Sequence, residues 1–328
     1  MINNLRLQPE VINQSLAGFS RDIFVQNVRF VLHPFRAKIN VIIKSILTCP
    51  GMNWADYSLL DCGNQEKLER FGPYTLLRPE PQAIWKKQFS SSKWDQWDAH
   101  FSRPSSEHAG GWKFKNKPLQ PWWIRYNQLN FQLQCTSFGH VGVFPEQVAN
   151  WENISSTLKH IPSAVVLNLF AYTGAASMVA KQAGADVVHV DAVANMIQWA
   201  RINMEQSQLR DIRWVVEDVM RFIQREVKRN KAYDAVFLDP PAYGRGPKGE
   251  KWMLPDQLDE LLSQCSILLR SKGKMILLNM YSMGFSPKIA EQLLKIHFPE
   301  WEIKADELCI PAESGVVLPL GINALARR

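Results

Sequence analysis

The chain of 328 residues is 46% apolar and 21% charged, the composition of a folded globular protein of about two domains, so wholesale disorder is excluded. Lys and Arg number 38 against 31 Asp and Glu, a formal charge of +7 that favours an acidic partner. No run of 18 apolar residues occurs, which excludes a membrane-spanning helix.

Residues 1–53 read as an N-terminal extension, flexible or partly helical. Over residues 1–50 six Lys/Arg face two acids. That profile fits a targeting segment, but the small-residue cleavage pattern of a secretory signal is missing. Met52, shortly after Pro50-Gly51, is an alternative start.

Residues 54–150 read as a small antiparallel β-rich domain on the substrate side. Pro73, Pro79, Pro81, Pro104 and Gly110-Gly111 punctuate it. Between them, segments such as Trp123–Tyr126 and Leu129–Cys135 alternate apolar and polar residues as half-buried strands do. Six of the 12 tryptophans fall between Trp85 and Trp123, and Arg78–Arg125 holds nine Lys/Arg against four acids. Aromatics among basic residues suit a nucleic-acid face, with Lys113, Lys115 and Lys117 as candidate phosphate contacts. The same tryptophans could equally staple a small β-domain.

From 151 to 328 strands alternate with helices. The expected strands are Val165–Phe170, Asp186–Asp191, Ile212–Val216, Tyr233–Asp239 and Lys274–Met280. The expected helices follow Ser177 to Ala183, then cover Val193–Gln206, Val219–Arg229, Pro255–Arg270 and Pro287–His297, before two strand-like stretches near 301–309 and 316–325. Nearly continuous apolar strands between helices predict a parallel sheet covered on both faces, a doubly wound, Rossmann-like α/β fold.

Ligands in such a sheet bind beyond the carboxyl ends of the strands, where the strand order switches. Asp191, Asp218 and Asp239 stand at those ends, and Tyr172-Thr173-Gly174 follows the first strand with small neighbours that let backbone approach a ligand. Asp239 opens Asp239-Pro240-Pro241-Ala242-Tyr243. Two prolines there enforce an extended turn and remove two donors, leaving the carboxylate and nearby carbonyls as acceptors toward the cleft. Tyr243 can stack on a planar substrate.

These residues resemble the class I S-adenosylmethionine-dependent methyltransferases, above all the group related to the large-subunit ribosomal-RNA methyltransferases. That group carries an Asn-x-Phe-x-Tyr-Thr-Gly turn, here Asn168 to Gly174, and an Asp-Pro-Pro strand end, here Asp239 to Pro241. The likeness covers roughly residues 56–328 and includes Leu68–Tyr74, Arg78–Trp85 and Gly142–Gln147. It implies an S-adenosyl-L-methionine-binding catalytic domain over 151–328 and a cytoplasmic enzyme acting on RNA. Asn168, Phe170, Tyr172, Thr173 and Gly174 would line the methionine end of the cofactor. Asp191 would accept the ribose hydroxyls, Asp218 the adenine amine with Val219 beside it, and Phe144 to Gln147 would reach the cofactor edge. Asp239, Pro240, Pro241 and Tyr243 would be the catalytic set, with no metal.

Methyl transfer from a sulfonium needs mainly in-line positioning and desolvation. C5 attack by cytosine normally needs a Cys thiolate as well. Relatives with that activity keep a Cys in the fifth-strand turn, where this chain has Asn279–Ser282, or after Pro-Pro, where it has Ala242. Cys265 lies mid-helix and reads as core. The five cysteines are scattered without a C-x-x-C pair, which argues against a disulfide framework or zinc site and for a reducing compartment. The expectation is therefore methylation at nitrogen. The alternatives are C5 methylation of ribosomal RNA, a protein or small-molecule acceptor, or a non-catalytic RNA-binding relative. A dinucleotide-dependent dehydrogenase would need G-x-G-x-x-G after the first strand, which is absent. The glycine-rich, basic loop Gly244–Trp252 suits a phosphate backbone, a lid, or plain solvation.

Overall fold

The computed structural model describes residues 54–103, 110–281 and 284–328. The expectations for residues 1–53 and Ser282 lie outside these. Strands β1 (Tyr57–Gly63), β2 (Glu66–Phe71) and β3 (Tyr74–Pro79) form an antiparallel meander. After the short helix α1 (Ser91–Trp94), β4 (Ala99–Ser102) pairs with β3 in parallel, and β5 (Gly111–Phe114) closes the sheet antiparallel. The parallel pair departs from the all-antiparallel pattern that short strands and turns suggest; residues 80–98 carry the chain back before it re-enters the sheet.

Strands β6 (Trp122–Tyr126) and β7 (Leu129–Leu133) make a separate hairpin. Its alternation is the one expected: Trp122, Ile124 and Tyr126 are buried, Trp123 and Arg125 exposed. Most of the clustered tryptophans are staples. Trp85, Trp94, Trp112 and Trp122 donate their indole N–H to Cys62 O, Asp61 Oδ2, Thr136 O and Phe71 O at 2.7–3.1 Å. Trp123 alone of the six stands exposed among large apolar side chains.

A 3₁₀ turn (Pro145–Gln147) leads into helix α2 (Val148–Leu158), which no sequence expectation included. Its Val148, Trp151, Ile154 and Leu158 recur every three or four residues and are buried.

The large sheet then follows its expected course: β8 (Val165–Leu169), α3 (Ala175–Gln182), β9 (Asp186–Asp191), α4 (Ala194–Gln206), β10 (Ile212–Val216), α5 (Val219–Lys228) and β11 (Ala235–Leu238). Next come a short hairpin, β12 (Tyr243–Arg245) and β13 (Lys251–Met253), then α6 (Leu254–Leu269), β14 (Met275–Met280), α7 (Pro287–His297), β15 (Glu302–Pro311) and β16 (Val317–Arg327). The strand order is β10-β9-β8-β11-β14-β16-β15. The first five are parallel, and β16 inserts antiparallel between β14 and β15. Strands alternate their side chains between two cores. Ala235, Phe237, Met275 and Leu277 join the core that also holds Trp54, Phe131 and Trp151, while Val236, Leu238, Ile276 and Leu278 face α5, α6 and α7.

The cysteine expectation needs one correction. Cys62, Cys135 and Cys265 are free, but Cys309 is disulfide-bonded. Spacing along a chain does not report which thiols meet in space.

Candidate active site

The strand order turns back on itself between β8 and β11, so the loops leaving these two strands diverge and open a crevice at their carboxyl ends. A cleft lies there, walled by the turn after β8, the end of β11, Asn279 of β14 and the face of α2.

The turn after β8 is built under backbone strain. Phe170 and Tyr172 take φ of 55° and 49°, the left-handed region that side chains other than glycine avoid, and Gly174 takes 88°. Surrounding contacts hold the turn there. Tyr172 N donates to Asp191 Oδ2 at 2.9 Å, and Thr173 Oγ1 donates to Gly142 O at 2.5 Å. Asn203 Nδ2 of α4 donates to Thr173 O at 3.0 Å. A Cβ on Gly174 would come 2.9 Å from Ala200 Cβ, so close packing on α4 adds to the conformational demand for glycine.

Of the residues expected at a cofactor, Asn168, Phe170, Tyr172, Thr173, Gly174 and Gln147 line the cleft, as does Asp239 from the catalytic set. Asp191, Asp218, Val219, Pro240, Pro241 and Tyr243 stand outside its lining. Asp191 is 9% exposed and accepts from Tyr172 N and Val193 N, one bond to each oxygen. Asp218 caps α5 by accepting from Arg221 N at 3.0 Å. Val219 is buried as that helix begins. The Pro241 carbonyl is not free toward the cleft, because Trp252 Nε1 donates to it at 2.7 Å. Tyr243 is exposed on β12, where its hydroxyl accepts from Arg245 Nε.

Asp239 is unusual electrostatically. Burial, with the Glu146 carboxylate adding to it, pushes its pKa up to about 7. Glu146, 6% exposed, is itself raised, chiefly by burial, and accepts from the Tyr281 hydroxyl at 3.3 Å. Functional sites commonly hold a carboxyl poised near neutrality in this way.

Two amides escaped the sequence reading of the site. Asn150 of α2 donates to Gln147 Oε1 and to Asn279 Oδ1, both at 2.8 Å, and Asn279 Nδ2 donates to Gln147 Oε1 at 3.0 Å. This interlocked set leaves Asn150 Oδ1 buried without a partner at the wall of the cleft. An unpaired buried acceptor costs free energy, which a donor from a ligand would offset. The signal was present in sequence: a polar residue on the apolar stripe of a helix, and another inside a wholly buried strand.

Residues 148–278 match a protein family described as "Conserved hypothetical protein 95". The crystal structure of the SAM-dependent methyltransferase from Agrobacterium tumefaciens is 36% identical, covering 84% of this chain and 92% of that one, with a TM-score of 0.80. The ribosomal RNA large subunit methyltransferases K/L of Syntrophotalea carbinolica and Hahella chejuensis are 36% and 35% identical over 118 and 122 residues, which is 34% and 36% of this chain. This chain spans 16% of the length of each of those two relatives.

Proposed function

The chain belongs to the S-adenosylmethionine-dependent methyltransferases, and on that premise we propose that it methylates RNA, most specifically ribosomal RNA, at a nitrogen atom in the cytoplasm. The observation that carries this reading is Asp239: a carboxyl poised near neutral pH at the switch point of the sheet, in a cleft whose described lining includes no cysteine. The names of the K/L relatives and the charge of +7 support RNA as the acceptor.

The cleft fits the cofactor. The left-handed Gly174 and the small Ala175 and Ala176 let backbone approach a ligand, and the spare acceptor of Asn150 awaits a donor such as an α-ammonium group. When bound, the cofactor supplies an electrophilic methyl group on a sulfonium. Asn168, Phe170, Tyr172, Thr173 and Gly174 would hold its methionine end, with Gln147 and Asn150 opposite. Asp191 would take the ribose hydroxyls with the lone pairs its two backbone bonds leave free. Asp218 and Val219 would meet the adenine. In this arrangement residues 54–150 serve the substrate, with Gln147 and Asn150 reaching the cofactor, and 151–328 the chemistry.

Asp239 does the remaining work. Its ionised carboxylate accepts from an exocyclic amine, which holds the nitrogen lone pair along the line of transfer and takes up the proton the product must lose. Pro240 and Pro241 keep that carboxylate fixed, since neither φ can relax. Tyr243, two residues on, offers its ring to a planar group at the mouth. Among the described residues no cysteine lines the cleft for thiolate-assisted C5 attack, and Cys265 is buried within α6, where burial pushes its thiol far above the range where a thiolate forms.

Mapping modified nucleotides in total RNA from a deletion strain tests the reading. Loss of one N-methylated nucleotide from ribosomal RNA is expected, and loss of a 5-methylcytosine instead would overturn methylation at nitrogen. Calorimetry with S-adenosylhomocysteine should show binding that Asp191→Ala abolishes.

A further inference from the structure

The glycine-rich segment after Asp-Pro-Pro is an ordered hairpin. Its register pairs Tyr243 with Met253, Gly244 with Trp252 and Arg245 with Lys251. Directly paired residues point to one side and successive residues to opposite sides. Tyr243, Met253, Arg245 and Lys251 therefore share one face, and Gly244 and Trp252 the other. Burial follows that division. Trp252 is 3% exposed, whereas Tyr243 and Met253 are 51% and 46% exposed, and Arg245 and Lys251 are exposed as well.

The inner face is anchored twice. The Trp252 ring lies 4.8 Å from that of Phe170, a residue of the strained turn, and its indole N–H holds the Pro241 carbonyl. The outer face is thus fixed relative to both the cleft and Asp239. It presents an aromatic ring and a thioether beside the cleft and two cations farther out, with Lys248 exposed in the turn. The hairpin's acid is already engaged: Glu250 pairs with Arg221 at 3.1 Å and accepts from Lys248 N. An apolar platform followed by cations that pair with no acid among the described residues is the pattern that takes a stacked base and the phosphates beside it.

We propose that the outer face of the β12–β13 hairpin is a docking surface for single-stranded RNA, holding the nucleotides that flank the target base. The neighbouring base stacks on Tyr243 and Met253, and its phosphates lie against Arg245 and Lys251. This inference rests on RNA being the acceptor. A single strand suits the geometry better than a duplex, because a base must be unpaired to lie flat on the platform.

The test is fluorescence anisotropy of the full chain with a labelled, mixed-sequence, single-stranded 16-mer RNA, alongside calorimetry with S-adenosylhomocysteine. Arg245→Glu with Lys251→Glu should weaken RNA binding at least about tenfold. It should also flatten the slope of log affinity against log salt by about 1.4, the value for two phosphate contacts on a single strand. Met253→Ser should weaken binding about fivefold or more with the salt slope unchanged, as loss of stacking does. Cofactor affinity should not move in either variant, which shows that both fold. If the wild type binds RNA and the charge-reversed variant binds it equally with the same slope, the hairpin is excluded while the RNA reading stands. If the wild type binds the cofactor but not RNA, the RNA reading itself falls and this surface with it. A polyglutamate peptide that competes as well as RNA, or an RNA duplex bound as tightly as the single strand, would also overturn the proposal.

Discussion

Asp239 carries opposite demands that its pKa of about 7 makes visible. The folded value lies above that of an exposed carboxyl, so the native state binds more protons than the unfolded chain between the two values, and this group's contribution to stability falls as pH rises toward 7. On the proposed mechanism activity follows the other sign, because there the ionised form accepts from the amine. The rate kcat/KM should therefore rise to a plateau above about pH 7, and Asp239→Asn should lower it about 10²-fold and flatten the profile, as steady-state assays across pH would report. In denaturant titrations at pH 8 the same variant should be at least as stable as the wild type, since a desolvated charge is gone. Asn150 poses a simpler case. Replacing it with Leu removes the unpaired acceptor and should weaken S-adenosylhomocysteine binding about tenfold, while 5′-methylthioadenosine, which lacks the amino-acid end, should bind as before.

Between elements, one helix face explains how the β6–β7 hairpin reaches the site. Trp199, Asn203 and Ser207 recur every four residues along α4 and its C-terminal cap, and each bonds to the backbone of β7. Trp199 Nε1 donates to Gln132 O at 2.9 Å, Asn203 Oδ1 accepts from Gln132 N at 2.8 Å, and Ser207 Oγ accepts from Asn130 N at 2.9 Å. The free edge of the hairpin is thus satisfied by side chains instead of a further strand. Close approach is enforced nearby, where a Cβ on Gly142 would come 2.3 Å from the Trp199 ring. Because Asn203 also holds Thr173 O, it ties β7 to the strained turn. Asn203→Leu should cost about 1–3 kcal/mol in chemical denaturation through the unpaired Gln132 N–H. Cofactor affinity should fall in the same variant. Intact affinity would mean that the turn keeps its shape without α4.

Across the whole molecule, a buried ion pair joins the small sheet to the segment leading into the catalytic half. Arg78 donates through Nε and Nη2 to Glu69 Oε2 at 2.9 and 2.6 Å, and through Nη1 to Gly139 O at 3.1 Å. The Tyr57 hydroxyl donates to Glu69 Oε1. Burial works to raise Glu69, but Arg78 and Lys67 outweigh it and hold the carboxyl below its ordinary value. A depressed carboxyl stabilises the fold at higher pH and loses that contribution as pH falls through the folded value. Glu69→Ala leaves Arg78 buried and unpaired, and should cost about 3–5 kcal/mol in denaturant unfolding at pH 7.

How much of this was legible beforehand follows from the range of the forces involved. The strands Asp186–Asp191 and Ile212–Val216 and the helix Pro287–His297 match their sequence expectation because period, caps and prolines are local signals. So do the turn after β8 and the acid ending β11, since both sit where apolar runs stop. Nothing local announces that α2 covers the cleft, that Trp252 buries itself against Phe170 and turns an expected loop into a hairpin, or that Cys309 forms a disulfide. The charge of +7 and the clustered tryptophans already pointed to nucleic acid. The tertiary structure turned most of those indoles inward, left Trp123, Lys113, Lys115 and Lys117 exposed, and set a second exposed aromatic and basic face on β12–β13, beside Asp239. Composition counts side chains, whereas only the packing of distant segments decides which of them water, or a ligand, can reach.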